Sequence, residues 1–203
     1  MTVSSQSLLQ TASLLPADGS RRLLAQAGLV LAGTLAITLA ARIQVPMWPV
    51  SMSLQTLAIL LIAGFGGSRL ATLTVLAYLA EGAAGLPVFQ GTPERGIGLA
   101  YMVGPTGGYL LGFVIMAFLV GRAADKGWSA RPVALLSTMI AAEIIMLGCG
   151  ALWIGALLGL PSALAYGVGP FIISDLVKVV LAAALVIAVT RRFAVRPGAK
   201  REA

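Results

Sequence analysis

The chain is dominated by apolar segments of the length that crosses a lipid bilayer. A transmembrane helix needs about 20 mostly apolar residues, and soluble domains carry about 25% charged residues. This chain of 203 residues is 59% hydrophobic and only 10% charged. We therefore predict an all-α integral membrane protein, a six-transmembrane-helix bundle with segments at 23–41, 54–65, 70–84, 107–121, 133–158 and 170–190. The second and third segments are short, and Gly64, Gly66 and Gly67 predict a very tight turn between them.

The placement of basic residues predicts the orientation, because cytoplasmic loops of membrane proteins are enriched in Lys and Arg. With both termini in the cytoplasm, only Arg42 and Arg95 lie in outer loops, and Lys178 lies within a span. We expect a multi-pass protein of a bacterial-type cytoplasmic membrane, with a cytoplasmic tail at 1–22, a membrane domain at 23–190 and a basic cytoplasmic tail at 191–203. The net charge of +7 then reflects this bias and does not indicate a nucleic-acid partner.

Several kinds of chemistry are disfavoured by the composition. The chain contains no histidine, the commonest general base and metal ligand, and its single cysteine, Cys149, lies in an apolar run. No phosphate-binding loop of the form GxxxxGK[ST] occurs. We expect neither an enzyme nor a site for a metal or cofactor.

The two outer loops are unusually apolar and rich in proline or glycine. The first outer loop (42–53) is RIQVPMWPVSMS, and the second outer loop (85–105) is GLPVFQGTPERGIGLAYMVGP. Such loops can cover a binding site, in which case we expect Trp48 to contact the ligand. They can also simply lie at the membrane surface, with Trp48, Phe89 and Tyr101 in the aromatic belt. Composition leaves both interpretations open.

An acid and a base lie within the last span. Asp175 and Lys178 are three residues apart, so they share one helix face and can form an ion pair. Each charge costs about 2.5–3.5 kcal/mol near the centre of a span, and packed apolar residues are often more stable than a buried ion pair. Asp175 lies about 8 Å below the outer end of the span. The pair therefore indicates a polar ligand that enters from outside, although an ion pair that only fixes helix packing is the alternative.

Two other acids lie in apolar segments. Glu81 lies near the outer end of the third segment, where it can border a cavity. Glu143 is deeper, in TMIAAEIIMLG, where it can pair with another helix or carry a proton.

Small residues mark two further features. Gly107 and Gly108 begin the fourth segment, where their N–H groups can face a ligand or simply allow close packing, and Tyr109 adds a ring and a hydroxyl. In the first segment, a stripe of small residues can pack inside the bundle or dock on another membrane subunit. The stripe consists of Gly28, Ala32, Ala36 and Ala40.

Four runs give the chain a resemblance to the BioY family, the biotin-binding substrate-capture subunits (S components) of energy-coupling-factor (ECF) transporters. They are IQVPMWPVSMSLQTLAILLIAG, YLAEGAAGLPVF, GPTGGYLLGF and SDLVK, within residues 43–185. The resemblance implies the S-component bundle and biotin near the outer surface. It also implies a transmembrane coupling subunit and separate ABC-type ATPase subunits as partners.

The resemblance also implies roles for particular residues. Asp175 and Lys178 match family positions that contact biotin, and Tyr109 matches the family tyrosine that follows GPTGG and is a candidate for the same site. Ala32, Ala36 and Ala40 match the surface that docks on the coupling subunit. The sequence departs from the family in two places. Glu81 stands where family members usually have an apolar residue, and 90–96 (QGTPERG) carries charge where the family sequence is commonly rich in glycine. Arg95 within this stretch can reach the ligand carboxylate or sit at the mouth of the site.

Two alternatives remain at this point. A stand-alone ion-coupled carrier of a small vitamin-like solute would use Glu143 or Asp175 as its proton site. A purely structural subunit would bind no ligand and would tolerate neutral residues at 175 and 178.

Overall fold

Five helices in the described part of the chain, residues 19–46 and 48–194 of the computed structural model, are long and apolar enough to cross a membrane. With the short helix α3 of the second outer loop, the helices are α1 (Gly19–Arg42), α2 (Gln55–Ala83), α3 (Gly98–Met102), α4 (Gly107–Asp125), α5 (Pro132–Leu158) and α6 (Phe171–Ala194). The prediction of a helical membrane protein is confirmed, with only a short two-stranded hairpin besides the helices in the described residues. Residues 1–18 and 195–203 of the predicted tails lie outside the described residues.

Helix α2 consists of two arms that run in opposite directions. Gly67 within it has φ 76° and ψ 176°, a conformation that glycine adopts most readily. Gln55 Nε2 donates to the Tyr78 hydroxyl at 2.7 Å, whereas a straight helix would separate these residues by about 34 Å. The tight turn is thus confirmed, and the arms 55–66 and 68–83 are the predicted second and third segments. Six membrane crossings and cytoplasmic termini stay predictions.

The inner end of this hairpin is fixed by α4. Asp125 Oδ2 accepts hydrogen bonds from the Ser68 N–H at 3.1 Å and from Ser68 Oγ at 2.5 Å. A Cβ on Gly121 would lie 2.4 Å from Ser68 Cα, so only glycine allows this approach. Helix α4 ends at Asp125, beyond the end predicted at residue 121. Its backbone hydrogen bonding continues after the apolar sequence stops.

Helices α4 and α5 also pack closely, which aligns their outer halves. A Cβ on Gly112 would lie 2.7 Å from the Met146 side chain, and one on Gly150 would lie 2.2 Å from the Tyr109 ring. A three-residue helical turn (Leu160–Ser162) and a π-helical segment (Ala163–Val168) connect α5 to α6.

The first outer loop contains a small hairpin that the sequence did not predict. Strands β1 (Gln44–Val45) and β2 (Met52–Ser53) pair in antiparallel register, with Gln44 opposite Ser53. The Leu54 N–H donates to the Ala40 carbonyl at 3.3 Å, which returns the chain directly over the end of α1.

The second outer loop folds into the protein. The Phe89 ring has no exposed surface; it stacks on Tyr101 at 4.8 Å between centroids and meets Tyr78 edge-on at 5.4 Å. Burial raises the pKa of the Tyr101 hydroxyl, so this aromatic cluster is uncharged at neutral pH. The belt interpretation is therefore wrong for Phe89 and Tyr101. Trp48 is exposed and meets Tyr166 edge-on at 6.1 Å.

Candidate functional site

A small cavity lies beneath the two outer loops, between α2, α4, α5 and α6. Its volume is about 30 Å³, room for one or two waters. Polar side chains lie on several sides, and the apolar wall consists of Val50, Phe113, Met146 and Phe171. A cavity with a mostly apolar wall and a few convergent polar groups is typical of small-molecule sites.

The Asp175–Lys178 pair forms the floor of this site. Both residues line the cavity, and they are only 2% and 7% exposed. Lys178 Nζ donates to Asp175 Oδ1 at 2.7 Å, which confirms the pairing predicted from their spacing. Ser174 Oγ donates more weakly to the same oxygen at 3.4 Å. Because the pair is buried and lines the cavity, it can bind a ligand with both donor and acceptor groups.

Tyr109 lines the cavity through its ring. The ring lies 5.9 Å from the Phe171 ring, and together the two form an aromatic surface. The hydroxyl donates to the Gly167 carbonyl at 2.5 Å. It thereby holds the π-helical segment against α4, so its donor is already used within the protein.

The two glycines before Tyr109 lie elsewhere. A Cβ on Gly107 would lie 2.1 Å from the Met102 carbonyl, and one on Gly108 would lie 2.4 Å from the Cys149 carbonyl. Neither glycine is among the residues that line the cavity. Their observed contribution is the close packing of α4 against α5 and α3, and their contact with a ligand stays a prediction.

Three further residues that were predicted to bind the ligand do not line the cavity. Arg95 Nη1 donates to the Pro49 carbonyl at 3.0 Å, which joins the two outer loops. Glu81 is half-buried in the second arm of α2, and Trp48 is exposed. Their roles in ligand binding stay predictions.

The sequence analysis missed the polar residues on the outer side of the cavity. Gln90 Nε2 donates to the Ser51 carbonyl at 2.5 Å, and Gln55 accepts from Ser53 Oγ at 3.0 Å. Thr56 also lines the cavity, and its buried hydroxyl has no hydrogen-bond partner in the described structure. The polar pair Gln55–Thr56 at the start of an apolar segment was the available signal.

Glu143 lies behind the ion pair and is 5% exposed. Its carboxyl group lies close enough to Asp175 and Lys178 for their charges to act on it, and neither of its oxygens has a hydrogen-bond partner in the described structure. Pairing with another helix and carrying a proton both stay predictions for this residue.

The small-residue stripe of α1 faces away from the bundle. Gly28, Ala32 and Ala36 are exposed and Ala40 is half-buried, while Ile37 and Ala41 form the buried face. Nothing lies within 4 Å of a Cβ built on Gly28. The interpretation that the stripe packs inside the bundle is therefore wrong for its three exposed residues.

Comparison with known proteins identifies the family. The model of the BioY family matches residues 10–195. The chain is 36% identical over 155 residues to the biotin transporter BioY of Thermotoga maritima, covering 74% of this chain and 86% of that protein. It is also 36% identical over 138 residues to the probable biotin transporter BioY of Pyrococcus horikoshii, covering 68% of this chain and 79% of that protein.

The fold has a counterpart among solved structures. The S-component for biotin from an ECF-type ABC transporter superposes with a TM-score of 0.75 at 24% identity, covering 86% of this chain and 95% of that one. The fold is thus that of an S component. Together with the family match over residues 10–195, these similarities establish that the chain belongs to the BioY family.

Proposed function

We propose that the protein binds biotin at the outer side of the cytoplasmic membrane and serves as the substrate-capture subunit of an ECF-type transporter. Membership in a family whose relatives are named biotin transporters supports the substrate. The observation that carries the proposal is that three buried polar side chains, Asp175, Lys178 and Thr56 with its unpartnered hydroxyl, line one cavity.

The polar groups of this cavity match the ureido ring of biotin, which has two N–H donors and one carbonyl acceptor. A carboxylate oxygen can accept two hydrogen bonds, so Asp175 can accept a ureido N–H while it remains paired with Lys178. Thr56 and Lys178 can donate to the carbonyl. A ligand that left one of these buried groups unmatched would lose about 1–3 kcal/mol, which gives selectivity.

The rest of the cavity suits the apolar part of the ligand. The rings of Tyr109, Phe113 and Phe171 and the side chain of Met146 would contact the fused rings and the aliphatic chain. Because the volume is only about 30 Å³, biotin requires the outer loops to move outward. Gln90 and Arg95 join those loops, so we infer that they close over the ligand.

The outward face of α1 supports a role as one subunit of a larger transporter. Small residues at 32 and 36 expose backbone at the protein surface, and such stripes let membrane helices approach closely. We infer that this face docks on the transmembrane coupling subunit. The ABC-type ATPase subunits would then supply the energy for transport.

Uptake of radiolabelled biotin tests this proposal. Cells that lack their own biotin uptake would express the chain alone, or together with the coupling and ATPase subunits of one ECF transporter. We expect rapid uptake only with the partners, and loss of that uptake when the ATPase is inactivated. Uptake by the chain alone that an uncoupler abolishes would contradict the proposal and favour an ion-coupled carrier.

A further inference from the structure

Glu143 is a buried acid that the proposed binding site does not use. It lies on α5 one turn before Met146, which lines the cavity, but it does not line the cavity itself. Both of its carboxyl oxygens are buried, as is Asp175 Oδ2, and as ionised groups these three oxygens have no hydrogen-bond donor in the described structure. An unsatisfied buried polar group costs about 1–3 kcal/mol, and more when it is charged.

One proton resolves this arrangement. Two ionised carboxylates in a buried site repel each other and cannot donate to each other. If Glu143 carries a proton, its O–H can donate to Asp175 Oδ2, which gives one oxygen of each buried carboxyl group a hydrogen-bond partner. The charges of Asp175 and Lys178 then balance.

Among the described residues, the charged groups that act on Glu143 are both on α6. Asp175 and Lys178 face it from α6. Helix α4 contributes Tyr109, whose hydroxyl is bonded to the Gly167 carbonyl, and the α2 residues that line the cavity, Gln55 and Thr56, are uncharged.

We propose that Glu143 is a positioning residue that carries a proton and donates it in a hydrogen bond to Asp175 Oδ2. Lys178 holds the other oxygen at 2.7 Å, so the carboxylate is fixed from both sides. It then cannot rotate to chelate Lys178 with both oxygens, so its acceptor lone pairs keep one orientation. This proposal rests on the proposed function, because its benefit is a pre-organised acceptor for the ligand.

Calorimetric titration with biotin tests the positioning role through two substitutions. Glu143→Gln keeps a donor at the same place, and we expect an affinity within threefold of the parent. Glu143→Leu removes the donor, and we expect affinity to fall at least tenfold. Met139→Leu, at a buried position one turn away on the same helix, is the control for repacking and should leave affinity unchanged. Equal losses in both Glu143 variants, or no loss in Glu143→Leu, would overturn the proposal.

Infrared difference spectroscopy tests the proton independently of biotin. The parent minus Glu143→Gln spectrum at neutral pH should contain the C=O stretch of a protonated carboxyl group. If it contains only carboxylate bands, Glu143 is ionised and the proposal fails. If the parent does not bind biotin but shows the protonated band, the proposed function fails while the protonated contact stands.

Discussion

Thr56→Val should change stability and ligand affinity in opposite directions. A threonine inside a helix usually donates to the carbonyl four residues back, as Thr74 does to Leu70 at 2.8 Å. Thr56 lies in the first turn of α2, and the residue four positions back, Met52, belongs to strand β2. Its hydroxyl is therefore buried without a partner, and valine has nearly the same shape.

The size of both effects follows from that unpartnered hydroxyl. Removing an unsatisfied buried polar group should stabilise the ligand-free protein by about 1–3 kcal/mol. The ligand loses one hydrogen bond and leaves its own group unmatched, which we expect to cost about 1.4 kcal/mol, or tenfold in Kd. The chain offers a matched control in Thr72, whose hydroxyl is also buried without a partner but does not line the cavity.

The assay combines thermal unfolding in detergent with biotin titration for the parent, Thr56→Val and Thr72→Val. We expect both variants to unfold at a higher temperature than the parent, and only Thr56→Val to bind biotin about tenfold more weakly. A lower unfolding temperature for Thr56→Val would mean that its hydroxyl bonds within the protein. Unchanged affinity would refute its contact with the ligand.

Three further predictions concern the loops and α1. Gly82→Ala places a Cβ 2.0 Å from the Phe89 ring, so it should displace the second outer loop and lower both the unfolding temperature and biotin affinity, measured by the same two assays. Arg95→Ala removes a bond between the outer loops; stopped-flow binding should show faster dissociation of biotin, and an unchanged rate would exclude loop closure through Arg95. Ala36→Trp on the exposed face of α1 should abolish partner-dependent uptake without changing biotin affinity. The control Leu152→Trp, at an exposed position on α5, should keep both the partner-dependent uptake and the biotin affinity. Equal loss of uptake in the two variants would argue against docking through α1.

Features set by local sequence could be predicted. The apolar segments located the helices because lipid contact requires long apolar runs. The three-residue spacing of Asp175 and Lys178 predicted their contact, because helix geometry alone brings such residues together. The turn at Gly67 followed from a glycine cluster, which permits a conformation that other residues avoid.

Features that depend on tertiary packing could not be predicted. The Phe89 ring is buried because Tyr78 and Tyr101 meet it, and their positions follow from the α2 hairpin and the path of the second outer loop. The unpartnered Thr56 hydroxyl depends on where strand β2 ends. The proximity of Glu143 to Asp175 depends on the packing of α5 against α6, which sequence spacing does not determine.

The central claim is that the buried ion pair is retained for a ligand and not for stability, since apolar residues at both positions would often be more stable. The most direct measurement is a calorimetric titration of the purified protein with biotin, beside Asp175→Asn and Lys178→Met. We predict saturable binding to the parent and a Kd at least tenfold higher in both variants. That change corresponds to a loss of about 1.4 kcal/mol of binding free energy. Binding that neither substitution weakens would make the pair structural, and a well-folded parent that does not bind biotin would contradict the proposed function.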